Sequence, residues 1–161
     1  MVCRARWPEQ RRARVHPESN APRRRVLGID LGLKRTGLAV SDELGISVRA
    51  LPNLSPRSRA EDVAFLVEQV RALEVGDVLV GRPKSGPIEQ RAPGFAAALQ
   101  AAIIEAGLSA RVRLVDEDFS SHEAAARLVA SAVKKSARKG ALDSEAARGL
   151  VLAFLARHER R

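Results

Sequence analysis

Three acidic residues in this sequence could do chemistry together: Asp30, Glu117 and Asp143. Asp30 interrupts the apolar run Val26-Leu27-Gly28-Ile29-Asp30-Leu31, between Gly28 and Gly32. Such a run marks a strand covered on both faces, where a carboxylate is costly to bury unless it is paired or binds a cation. Glu117 follows a second apolar strand, and Asp143 stands where a final helix should begin. Parallel first and later strands would bring the first two acids to neighbouring strand ends, and a helix packed on that edge could add the third. Clustered carboxylates repel one another, so the group needs a divalent cation. Oxygen-only ligands favour Mg²⁺ or Mn²⁺ over zinc. Two such ions about 4 Å apart are a device for hydrolysing a phosphodiester.

Each acid also has a plainer reading. Asp30 could be a half-exposed hairpin residue, Asp143 an N-cap, and Asp116-Glu117-Asp118 acids at a helix start. Other catalytic chemistries find no support. His16, His122 and His158 are scattered and Cys3 is the only cysteine, so there is no His/Cys metal spacing and no disulfide framework. Lys34, Arg35, Arg82, Lys84 and Arg91 lie near the acids in the expected layout and could hold flanking phosphates, as could Lys139 in the basic stretch from Lys134 to Gly140.

The formal charge of +9 is unevenly placed. Residues 1–25 hold eight arginines against two glutamates, whereas the remainder holds twenty basic and seventeen acidic groups. The body is therefore only mildly basic, and the net charge says little by itself about a nucleic-acid partner. Aromatics make up 3%, so stacking platforms for single-stranded bases are scarce. No apolar run approaches a membrane span or a signal-peptide core, which makes the cytoplasm the default location and a membrane partner unexpected.

Residues 1–24 show no apolar periodicity and carry Pro8, Pro17 and Pro22. They read as a disordered Arg-rich arm, either a tether to phosphates or a solvated tail, ahead of a single domain over 25–161. Strands are expected at 25–32, 36–42 and 46–51 as an antiparallel meander. Ser58-Arg59-Ala60-Glu61 opens a helix with a capping box, and Val63, Leu66, Val67, Val70 and Leu73 recur at helical spacing. A buried strand at 77–81 leads into a proline-rich loop. Next come a helix over 92–106 and a strand at 112–115. A further helix opens at Ser120, and a final one runs from Asp143 to about 157. Three meandering strands followed by strand–helix alternation predict an α/β fold with a mixed sheet and helices on its faces. Ligands in such sheets gather at the carboxyl ends of the strands.

Four segments in register carry a family resemblance. Gly28-Ile29-Asp30-Leu31-Gly32 with Lys34-Arg35, Gly37 and Ser41-Asp42 resembles the opening of the YqgF-type family of pre-16S ribosomal RNA nucleases, also described as Holliday-junction-resolvase-like. Val80-Gly81 with Pro83 resembles its second motif. Val115-Asp116-Glu117 with Ser120-Ser121 and Glu123-Ala124 resembles its third, and Lys139-Gly140 with Leu142-Asp143-Ser144 and Ala146-Ala147 its fourth. The resemblance implies a ribonuclease H-like five-stranded sheet in the order 3-2-1-4-5 and metal-dependent nuclease chemistry, with the family's acids falling on Asp30, Glu117 and Asp143. It implies structured RNA as partner, pre-rRNA in ribosomal particles, with branched DNA as the alternative, for a monomer or a homodimer. Two departures stand out: Asp118 occupies a position where the family usually has Arg, and the loop after Pro83 is shorter. Arg82, where the family commonly has an apolar residue, is a candidate to supply the missing positive charge.

Two other functions compete. The Gly-x-Asp-x-Gly opening also resembles the phosphate loop of actin-like ATPases and sugar kinases, but those close two comparable domains over the nucleotide and this chain is too short. A non-catalytic RNA-binding or ribosome-assembly protein with a relic site would retain the fold and lack metal-dependent cleavage.

Overall fold

A computed structural model describes residues 24–116 and 142–158. Its strands are β1 (Arg25–Asp30), β2 (Thr36–Ser41), β3 (Val48–Leu54), β4 (Val75–Arg82) and β5 (Arg111–Asp116). Its helices are α1 (Arg59–Ala72), α2 (Pro87–Glu105) and α3 (Leu142–His158). The expected helix opening at Ser120 and the expected arm, apart from Arg24, lie outside the described residues.

The strands form one sheet in the order β3-β2-β1-β4-β5. β1–β2 and β2–β3 are antiparallel, while β1–β4 and β4–β5 are parallel. This is the ribonuclease H-like order implied above, and the first three strands meander as their short connections require. β1 is central, and residues 26–29 are buried.

Side-chain alternation divides the sheet into two faces. Leu27 and Ile29 of β1, Leu38 and Val40 of β2, and Val78 and Val80 of β4 pack against α1 and α2. The helices meet them with Leu66, Val67 and Val70, and with Phe95, Leu99 and Ile103. Fully burying a side chain of this kind is worth roughly 1.5–3 kcal/mol. On the other face Val26 and Leu79 pack against Val151 of α3, with Val48, Val115, Phe154 and Leu155 at the margin.

Gly28 decides how closely α3 approaches. A Cβ at this position would sit 2.6 Å from the Ala147 carbonyl oxygen and 2.7 Å from Val151 Cγ2. The helix therefore rests on bare strand backbone, and only glycine fits beneath it.

Several boundaries differ from the sequence pattern. α2 begins at Pro87, five residues before the expected start, and contains Pro93. Pro87 occupies the first helical position, where its missing N–H goes unused. Pro93 gives up one intrahelical hydrogen bond, offset by the burial of Ala92, Phe95 and Ala96 around it. β3 continues through Pro52, which an edge strand tolerates because one side of its ladder is unpaired. The residues 24 and 25 are anchored: Arg24 Nη1 donates to Ser109 Oγ at 2.5 Å, and Arg25 bridges Glu43 at 2.8 Å and the Leu73 carbonyl at 3.1 Å.

The α1 capping box is present as expected: Glu61 N–H donates to Ser58 Oγ, and Ser58 N–H donates to Glu61 Oε2. Hydrogen bonds from the Ser58 hydroxyl and N–H hold the Glu61 carboxyl below its ordinary pKa. Asp42 is held down in the same way, by the Ser47 hydroxyl first and then the Ile46 N–H, as it closes the β2–β3 turn. No described helix is long and apolar enough to cross a membrane.

Two expectations follow. Gly28→Ala should lower stability by about 1–3 kcal/mol, because α3 must shift off the sheet; an unchanged urea midpoint would contradict this contact. A carboxylate whose folded pKa is lowered stabilises above its unfolded pKa, and that contribution fades as pH falls through the folded value. The stability difference between wild type and Glu61→Gln, measured by urea titration, should therefore be present near neutrality and shrink on acidification through the carboxylate range. A difference independent of pH would contradict it.

Candidate active site

The parallel strands β1, β4 and β5 all end at the same edge of the sheet, at Asp30, Arg82 and Asp116. Asp30 is half-buried. Across the antiparallel ladder it pairs with Gly37. On the parallel side Ile29 pairs with Val80, so the next β4 residue is Gly81. The positions beside it on both flanking strands are glycines.

Asp30 lies on the α3 face, since it shares the alternation of Val26 and Gly28. α3 runs along β1 so that Val151 packs with Val26, and both Ala147 and Val151 meet Gly28. Four helical residues rise roughly 6 Å, and two strand residues advance about 6.6 Å. One turn before Ala147, at position 143, the helix thus begins beside the Asp30 end of β1. Asp143 is the second residue of α3; its side chain lies outside the described residues. Glu117 also lies outside them and follows Asp116, the last residue of β5. Lys139 and Asp118 lie outside as well.

Arg82 belongs to the other face. Its Nε donates to Asp116 Oδ1 at 2.6 Å, and that hydrogen bond and charge raise the guanidinium pKa above its ordinary value. Val80 shares its alternation and points to the α1–α2 core, so Arg82 is separated from Asp30 by the sheet. Lys34 and Arg35 are exposed in the β1–β2 turn. Gly32 opens that turn, where a Cβ would run into the Arg35 carbonyl oxygen. Lys84 and Arg91 are exposed, Lys84 after β4 and Arg91 on the second turn of α2.

Sequence reasoning missed Arg57 and Arg59. With Arg91 they line a pocket of about 60 Å³ beside Leu31 and Gly32. The available signal was their place at the start of α1, since helices that follow strands of an α/β sheet begin near its carboxyl edge.

Among the described residues no three His, Cys, Asp or Glu side chains cluster closely enough to hold a metal. The donor that is described fits a hard cation: Asp30 offers carboxylate oxygens, half-buried, between two glycines.

The family model described as "RuvX: Holliday junction resolvase" matches residues 24–157. The chain belongs to the RuvX family. A RuvX-type relative from Anaeromyxobacter dehalogenans, named "Putative pre-16S rRNA nuclease", is 41% identical over 138 residues, covering 83% of this chain and 97% of the relative. One of the same name from Moorella thermoacetica is 33% identical, covering 83% and 95%. Thermus thermophilus RuvC, solved in complex with a Holliday junction substrate, shares the fold with a TM-score of 0.59 at 20% identity, covering 84% of this chain and 96% of that one. The fowlpox virus Holliday junction resolvase aligns with a TM-score of 0.54 at 8% identity, covering 83% and 99%.

The Arg82–Asp116 pair is substantially exposed, at 36% and 58% of the two side chains. Arg82→Ala should therefore leave the urea midpoint nearly unchanged, because solvent screens an exposed pair. A marked drop in that midpoint would mean that the pair organises the strand ends.

Proposed function

We propose that this protein is a nuclease that hydrolyses phosphodiester bonds in precursor 16S ribosomal RNA, near its 5′ end, in the cytoplasm. One observation carries the reading. The strand bearing Asp30 and the helix opening at Leu142-Asp143 are locked together at Gly28, so both acidic positions lie at one end of one contact. The names of the relatives support the ribosomal RNA substrate. Branched DNA is a second reading, favoured by the description of the matching family model.

Asp30, Glu117 and Asp143 would hold Mg²⁺ or Mn²⁺. Bound there, the cation supplies positive charge that offsets the charge gained at the phosphorus in the transition state. The half-buried setting of Asp30 strengthens its hold on a cation relative to an exposed carboxylate. Lys34 and Arg35, exposed in the turn that follows Asp30, supply cations where the strand of the substrate enters. The carboxylates themselves repel a phosphate, so cleavage requires both the divalent ion and these flanking cations.

Asp30→Asn and Asp143→Asn should each cut cleavage of a precursor 16S transcript by about 100-fold or more in Mg²⁺ or Mn²⁺, with thermal stability retained. Chelation with EDTA should abolish wild-type cleavage. Running the same assay on a four-way DNA junction decides between the two substrates. Wild-type levels of cleavage by either variant would remove that residue from the site, and absence of any metal-dependent cleavage by the wild type would leave a nucleic-acid-binding protein.

A further inference from the structure

On the face of the sheet opposite α3, the beginnings of α1 and α2 and the end of β1 enclose the pocket of about 60 Å³ noted above. Its cations are Arg57, Arg59 and Arg91, against one acid, Asp62. The Asp62 carboxylate already accepts the Arg57 backbone N–H at 3.1 Å. Among the described residues none of the three guanidiniums lies within ion-pair distance of an acid, although Arg57 is near enough to Glu61 to help lower its pKa. The nearest atom to a Cβ built on Gly94 is Arg59 Nη1, at 4.0 Å, so the Arg59 side chain reaches across from α1 to α2. Thr36, only 3% exposed, lines the same pocket. Three arginines lining one small cavity offer complementary charge and donors to an anion.

The size decides which anion. Pockets for nucleotides and other drug-sized ligands run to roughly 300–1,000 Å³. A cavity of about 60 Å³ matches a single phosphate group better than a whole nucleotide. Its floor is Leu31 and Gly32, the residues directly after Asp30, so a strand reaching the acidic end of β1 passes over it.

We propose that this pocket binds one phosphate group of a nucleic-acid strand, gripped by the guanidiniums of Arg57, Arg59 and Arg91 with the Thr36 hydroxyl donating from below. The site takes only its ligand from the nuclease reading, and binding can be read without cleavage. It gives the strand a second fixed point on the far side of the sheet edge from the acids. The strand would therefore wrap over the ends of β1 and β2 instead of lying along α3.

The test measures fluorescence anisotropy of an RNA strand from the precursor 5′ region in EDTA, across a salt series, with the full chain. The Arg57→Ala, Arg59→Ala, Arg91→Ala triple variant should bind about 10- to 100-fold more weakly, and its log–log salt slope should fall by about one, as expected when one phosphate contact is lost. Arg111→Ala, which removes an exposed charge at the amino end of β5, serves as the control for bulk charge. Single methylphosphonate substitutions along the strand, and a 5′-dephosphorylated strand, locate the group. One substitution, internal or terminal, should weaken wild-type binding as much as the triple variant does, and should have no further effect on that variant. Thr36→Val should weaken binding by a smaller factor at unchanged thermal midpoint. The proposal is overturned if the triple variant binds like Arg111→Ala with the wild-type slope, or if no single phosphate is non-additive with it. Neither outcome depends on cleavage, which the Asp30→Asn assay judges separately.

Discussion

The contact of Ala147 and Val151 with the bare backbone of Gly28 fixes more of this structure than any other. It sets the height of α3 over the sheet, and because both elements are rigid it also sets where the helix starts relative to the end of β1. A side chain on Gly28 would lift α3 and carry its first turn away from Asp30. The buried residues Val26, Leu79 and Val151 then hold the register laterally. Helix and strand advance by nearly equal amounts per four and two residues, so a contact made at position 28 is felt two residues later, at the carboxylate.

The sheet also separates two kinds of charge. Asp30 lies on the α3 side, with position 143 opening the helix above it. The arginine pocket and the Arg82–Asp116 pair lie on the α1–α2 side. This division follows from strand alternation: consecutive residues at a strand end point to opposite faces, so Asp30 and Leu31 deliver the chain to two different environments within one residue. An enzyme that must bind a polyanion next to a group of carboxylates gains from such a partition, because the attractive and repulsive centres do not cancel each other.

Much of this was legible in the sequence because the signals were local or periodic. The apolar run around Asp30, the Ser58–Glu61 capping box and the Val63 to Val70 stripe each specify one element without help from the rest of the chain. The sheet order came from the family resemblance and not from these local signals. α2 starts earlier than the sequence pattern suggests because Pro87 reads as part of the preceding loop, whereas it sits at the first helical position. The pairing of Arg82 with Asp116 was not legible because the two lie 34 residues apart and meet only through the β4–β5 ladder. Arg57, Arg59 and Arg91 could not be grouped for the same reason: they share a pocket only once two helices dock on one face.

The central claim is that the end of β1 and the start of α3 share one divalent ion. The most direct measurement is a Mn²⁺ titration followed by amide NMR. Paramagnetic broadening should strike Gly28–Gly32 and Asp143–Ala147 together, at the same Mn²⁺ concentration, and leave the α1–β4 connection around Leu73 untouched. Broadening of one segment without the other, or of neither, would contradict the account.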